Sequence, residues 1–378
     1  MRIKHDAADS LRKIRDYLIL LLLLFLLSFF VGHSQFTQRK AAGKEFTLTM
    51  KIIYENKGES QEIWNLTRSD RAIGLFMNNS WQIVYLLSAS YPVEGFTKDL
   101  DGNIIAILNF GRDKIYPGET INYSITYRLI FRARSLPKIS ETESWDIASI
   151  PKELKDKYCE PTGLWQSNMS QLHEKALEIA GGETRVLSIL KRFVAWIRDN
   201  IRYDSSEVPR YPNETLSLLA GDCDDQANLL ITFCRSIGIP AYLQIGCIYI
   251  PQYDRSLRYW SGHLLIRQIG VGWHGWAMVY VPPWGWLPVD LTYVRRELLE
   301  DNPLNSIIFS AVIAHYTFQY MNITRTDYVA ESRAMRDFLM SHEFYIHEED
   351  NMEERRVEGS LLLRPILVAT ACRMLLNI

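Results

Sequence analysis

The stretch GDCDDQANLLITFCRSIGIPA, Gly221 to Ala241, decides how this chain is read. Gly221 and Asp222 suit a helix start, and Leu229, Leu230, Phe233 and Ile237 supply one apolar face. Gly238 suits the residue just past a helix end, and Pro240 prevents continuation. Cys223 therefore falls in the first turn. There, unpaired N–H groups and the positive end of the helix dipole favour a thiolate and offer an oxyanion site. Asp222, Asp224 and Asp225 oppose that effect, so a nearby histidine has to supply much of the activation. They read as solvated helix-start carboxylates, with a calcium site as the rival, although the full loop of an EF-hand is missing. Most lone cysteines are buried and inert, and Cys234 on the same helix reads as core.

Of the eight histidines, His263 and His274 lie on strand-like runs after the cysteine. His5 and His33 precede or sit in the N-terminal apolar run, and His173, His315, His342 and His347 fall on expected helices or their ends. His274 stands in WHGWAMVY (273–280), followed by PPWGWLPVDLT (282–292). The Pro-Pro-Trp-Gly turn predicts a hairpin in which His274 and Asp290 face each other across neighbouring strands.

These segments, taken together and in order, resemble the transglutaminase-like superfamily. Gly221-Asp-Cys223, Gly238-Ile-Pro-Ala241, His274-Gly-Trp276 and Gly285-Trp-Leu-Pro-Val-Asp290-Leu-Thr292 follow its pattern over about residues 150–300. The resemblance implies a papain-like α+β core with Cys223 as nucleophile, His274 as general base and Asp290 as the residue that orients the imidazole. It implies a thioester formed from an amide. Water then makes a peptidase or amidase, the favoured reading, and an amine makes a cross-linking transferase. A surface module that binds without catalysis is the third reading. Gly275 replaces the usual alanine, a minor change. Met278 stands where many relatives carry a glutamate, which bears on substrate contacts.

Upstream, Phe46–Tyr54 and Ile121–Leu129 alternate polar and apolar residues, with strand-like runs near Trp81–Leu87 and Ile104–Phe110. They predict a β-sandwich-like domain over 45–135, a spacer or a ligand-binding module displaying Trp64 or Trp81. Helices are expected at Ser170–Ala180, Arg185–Arg202, Asn305–Tyr320 and Asp327–His342, the last two within a helical extension over 301–378. His347–Arg356 reads as a charged segment before an apolar tail, Leu361–Ile378. Arg364 and Arg373 make that tail a poor membrane span.

Between Tyr17 and Gln38 no side chain is charged, with His33 neutral. A bilayer crossing needs about 20 residues, so 17–36 predicts a single-pass anchor behind a cytoplasmic tail, 1–16. A signal peptide cleaved near Gly32-His33-Ser34 is the alternative. More basic residues before the run than after it place the bulk of the chain outside the cytoplasm. Six N-x-S/T sequons are compatible with that side. Lysine plus arginine number 42 and aspartate plus glutamate 44, so no basic footprint suggests a nucleic-acid partner. The five cysteines fit no zinc spacing, and no cofactor or metal is expected. Cys234 and Cys247 are candidates for a disulfide. The expected partners are a protein or peptide substrate and, through the N-terminal helix, the membrane.

Overall fold

A computed structural model describes residues 43–132, 137–292 and 316–355. Strands β1 (Glu45–Asn56), β2 (Trp64–Asn65), β3 (Ala72–Gly74), β4 (Gln82–Ala89), β5 (Val93–Lys98), β6 (Ile104–Leu108), β7 (Lys114–Ile115) and β8 (Thr120–Phe131) come first. Helices α1 (Lys152–Tyr158), α2 (Ser170–Ala180) and α3 (Val186–Asn200) follow, then β9 (Arg202–Tyr203), α4 (Pro212–Leu218), β10 (Ala220–Gly221) and α5 (Cys223–Ser236). The last described elements are β11 (Ala241–Tyr259), β12 (Leu264–Val281), β13 (Gly285–Val289), β14 (Thr317–Ile323), α6 (Tyr328–Ser341) and β15 (Phe344–Arg355).

A mixed eight-stranded sheet organises them, in the order β14-β11-β12-β15-β1-β8-β4, with β13 paired to β12 off that path. The α+β class expected from sequence is found. The expected partition into a β-sandwich-like domain over 45–135 and a core over 150–300 is not where the sheet divides. β15 runs antiparallel to β1 from Glu45↔Arg355 to Asn56↔Phe344, and parallel to β12 from Leu264↔Ile346 to Ile269↔Asn351. It welds the early strands to the strand that carries His274, and the described residues from Glu45 onward form one compact unit.

Two apolar cores flank the sheet. The first packs α2, α3 and α5 against the ends of β11, β12 and β13. The stripe Leu187, Leu190, Phe193, Val194 and Ile197 meets Leu229, Leu230 and Phe233 there. The second gathers the inward residues of β1 and β8 (Phe46, Leu48, Tyr123, Ile125 and Tyr127 among them) with Phe344 and Met352 of β15.

Two expectations fail at the C-terminal end. The described end of the expected helix Asn305–Tyr320 is part of β14, which pairs with β11 from Leu243↔Ile323 to Ile248↔Thr317. The charged segment His347–Arg356 is, through Arg355, the strand β15. Cys234 and Cys247 are both free thiols, one in each core, so no disulfide joins them. Among the described residues no helix is long and apolar enough to cross a membrane. The expected tail 1–16, anchor 17–36 and apolar tail Leu361–Ile378 lie outside the described residues.

Candidate active site

α5 places the thiol. Asp222 is its N-cap, accepting from the Asp225 amide at 3.4 Å, while Asp225 Oδ2 accepts from the Asp222 amide at 3.3 Å. Every residue from Asp225 to Arg235 is buried, so the helix runs through the interior rather than over it. Its buried polar groups are satisfied: Asn228 Oδ1 accepts from Trp165 Nε1 at 3.2 Å, and Arg235 Nε donates to the Ala241 carbonyl at 2.8 Å. The helix stops where the sequence says it should. Gly238 takes the left-handed conformation (φ 84°), and its amide bonds the Arg235 carbonyl at 3.1 Å.

β12 and β13 supply the other two groups. They form the expected hairpin, with Val281 opposite Gly285 and Ala277 opposite Val289. His274 lies on β12 opposite Gly246 of β11, and Asp290 immediately follows β13. His274 Nε2 donates to Asp290 Oδ2 at 2.7 Å, and the imidazole lies close enough to the Cys223 thiol to lower its pKa. With Nε2 committed to Asp290, Nδ1 is the nitrogen left for sulfur. His274 is 7% and Asp290 1% exposed, while Cys223 is half-buried. Asp290 Oδ1 in turn accepts from the Thr292 amide at 3.1 Å, which fixes the carboxylate. The structure therefore brings all three expected residues together. His263, the other candidate, is structural: its Nδ1 meets the Phe344 carbonyl at 2.8 Å and its ring stacks on Tyr345.

The electrostatics differ from the helix-dipole expectation. Burial pushes the Cys223 thiol above its ordinary pKa; the bond to His274 pulls it back, and Asp224 and Asp222 push it up again. Burial would depress His274, but the Asp290 carboxylate and the thiol outweigh it and hold the imidazole well above its usual range. The dipole alone does not make this thiol acidic, so activation rests on the imidazole.

The three aspartates are not simply solvated. Asp225 is fully buried and accepts from the Arg210 amide at 2.7 Å and from its guanidinium at 3.1 Å. Asp224 Oδ2 accepts from the Tyr328 hydroxyl at 2.5 Å, and that hydroxyl accepts from Asn228 Nδ2 at 2.6 Å. The Cys223 sulfur also lies 3.8 Å from Asp224 Oδ1. A line of polar groups thus runs from Trp165 through Asn228 and Tyr328 to the carboxylate beside the sulfur. Neither Tyr328, over a hundred residues downstream, nor Trp165 announces this role in the sequence. Gly275 also gains a reason, since a Cβ there would sit 3.1 Å from that of Asp224. Met278 packs with Trp276 against Trp81, Tyr242 and Trp286, so it fills a small core instead of facing substrate. Ligand atoms of Asp222, Cys223 and Asp224 lie within 4.8 Å of one another. Calcium takes six to eight oxygens, and this set offers a sulfur and two carboxylates already engaged in the cap and with Tyr328.

Burial raises Asp222 to about 9, with Asp224 and Asp225 adding to it, and Asp225 to about 6, with Asp224 adding to it. A carboxyl whose folded pKa exceeds its unfolded value binds its proton more tightly when folded. Its stabilisation is present in acid and is lost as pH rises through the folded pKa. His274, also raised, acts in the same direction. The melting temperature is therefore expected to fall between about pH 5 and about pH 9. Asp222→Asn, which keeps the cap, should flatten the upper part of that fall. A melting temperature that rises over the same range contradicts this assignment.

The model of the Transglutaminase-like superfamily matches residues 173–291, from α2 to the residue after Asp290. No curated protein matches the chain. Among solved structures, a candidate cysteine protease from Cytophaga hutchinsonii is 18% identical, with a TM-score of 0.47 over 83% of this chain and 90% of its own. A candidate protease from Parabacteroides distasonis is 10% identical, with a TM-score of 0.23 over 66% of this chain and 67% of its own. Over residues 173–291 the chain is thus similar to the transglutaminase-like superfamily.

Proposed function

We propose that this chain is a cysteine enzyme that cleaves amide bonds in peptides or proteins, with Cys223 as nucleophile, His274 as general base and acid, and Asp290 as the residue that orients the imidazole. The observation that carries this reading is the His274 imidazole, bound to Asp290 at 2.7 Å and acting on the Cys223 thiol beside the N-terminus of a buried helix. Nδ1 takes the thiol proton, and sulfur attacks the amide carbon to form a C–S bond and a tetrahedral oxyanion. The amides of Cys223 and Asp224, which the Asp222 cap does not use, are the donors assigned to that charge. The imidazolium then gives its proton to the leaving amine as the C–N bond breaks, leaving a thioester. Water, deprotonated by His274, attacks the thioester, and the C–S bond breaks to release acid and restore the thiol.

Exposed Tyr203, paired with Gly221 just before the N-cap, stands where a substrate side chain would pass. The apolar run at 17–36 supports an anchored enzyme working on the extracytoplasmic side.

The test is a peptide mixture incubated with the full chain and a labelled primary amine, read by mass spectrometry. Cleaved peptides that vanish with Cys223→Ala support hydrolysis. Amine-tagged peptides with no cleavage would move the assignment to cross-linking. Neither product, from a protein whose Cys223 is nonetheless reactive, would turn the reading to a binding module.

A further inference from the structure

β15 reads FYIHEEDNM from Phe344 to Met352. Strand alternation sends Phe344, Ile346, Glu348, Asp350 and Met352 to the face that builds the second core. Phe344 and Met352 are 1% and 2% exposed. Two carboxyl groups thus stand on a face that otherwise calls for apolar side chains. Asp350 is fully buried: its Oδ2 accepts from Trp273 Nε1 at 2.6 Å, and the neighbouring carboxyl of Glu348 is the group that acts on it from the same strand. A buried carboxyl without a cation is costly and survives where something compensates it.

Glu348, beside Asp350 on that face, opens onto a cavity of about 310 Å3. Tyr54, Tyr123, Tyr127, Tyr320 and Trp260 wall it, and among the described residues no lysine, arginine or histidine lines it. Cys223, His274 and Asp290 are not part of it. Three of the tyrosine hydroxyls are already hydrogen-bonded within the protein. Tyr54 donates to the Asp70 carbonyl at 3.0 Å and lies 3.0 Å from the Tyr123 hydroxyl, and Tyr127 donates to the Gly74 carbonyl at 2.8 Å. The aromatic rings, rather than the hydroxyls, are left for an occupant.

We propose that this cavity binds an organic ammonium group, with Glu348 as its counter-ion and the tyrosine and tryptophan rings as its walls. Aromatic faces attract cations within about 6 Å of the ring centre, most strongly where water is excluded. An anion would be repelled by Glu348, and a neutral guest would gain nothing from the carboxyl. A hard divalent ion wants six or more oxygens, which these walls do not offer. The unfilled state is maintained by a proton: burial first, and then the proximity of Asp350, holds Glu348 well above the usual carboxylate range. An entering ammonium replaces that proton as the compensating charge.

Tetramethylammonium, titrated calorimetrically into the full chain at fixed ionic strength, tests this, with neopentanol as the neutral probe of the same shape. Saturable binding of tetramethylammonium but not of neopentanol is expected, weakened about tenfold or more by Glu348→Gln. Met335→Trp, which fills the cavity from α6 without touching the carboxyls, should abolish binding and serves if the first variant does not fold. Equal binding of both probes, no binding of either, or parental affinity in a folded Glu348→Gln or Met335→Trp protein would overturn the proposal.

Discussion

Iodoacetamide applied to the full chain near neutral pH is expected to alkylate Cys223 ahead of Cys159, Cys234 and Cys247. Cys234 and Cys247 are buried and their thiols are pushed far up by burial, while burial raises Cys159 to about 11. Among the described residues no histidine acts on any of those three thiols. Cys223 is also raised by burial, but His274 opposes the rise. Removing the imidazole leaves burial and the two aspartates acting alone. In His274→Ala the rate-against-pH curve for Cys223 should therefore move to higher pH, and the rate at neutrality should fall about 100-fold. Asp290→Asn separates two roles. An amide at 290 would donate to Nε2 and force the ring proton onto Nδ1, where it faces sulfur and cannot accept the thiol proton. Amide turnover should drop about 1000-fold or more, while alkylation, which needs only a thiolate, falls less. Equal alkylation of Cys223 and Cys159 in the parent, or an unchanged profile in His274→Ala, would dismantle the triad.

The parts of this site that sequence reveals are those set by local rules. Gly238 and Pro240 end α5 for reasons confined to backbone geometry, so the placement of Cys223 in a first turn follows from a dozen residues. The hairpin joining His274 to Asp290 is equally local. What sequence hides is compensation over long distances. The aspartates at 222, 224 and 225 look like solvent-facing charges until Arg210 and Tyr328 arrive from elsewhere in the fold. The strand β15 hides for the same reason. Its inward residues include Glu348 and Asp350, so the apolar alternation that revealed β1 and β8 is broken there, and a central strand reads as a charged surface segment. The end of the expected helix through Tyr320 fails because pairing with β11, a tertiary partner, overrides local periodicity.

β15 also sets the largest expected effect on folding. A chain ending at Glu343 should fail to fold, whereas one ending at Arg355 should retain the fold. The strand pairs along the whole of β1 on one edge and along Leu264–Ile269 of β12 on the other. Without it, each of those strands presents an unpaired edge and an uncovered apolar face, the condition that drives aggregation. The packing argument gives a milder probe of the same element. Phe344 stacks on Trp64 at 4.9 Å with planes 7° apart and also meets Phe338 at 5.5 Å. Phe344→Ala should cost about 3–5 kcal/mol, whereas Glu353→Ala on the exposed face should change stability by about 0.5 kcal/mol or less. Circular dichroism and thermal melting read both comparisons, and alkylation supplies the link to the site. If β15 holds β12 in place, Cys247, buried on the neighbouring strand β11, becomes reactive in the shortened chain as Cys223 loses its advantage. A shortened chain that melts cooperatively and still favours Cys223 would mean that the transglutaminase-like core stands without its last strand, and that the domain boundary expected near residue 150 is a real folding boundary.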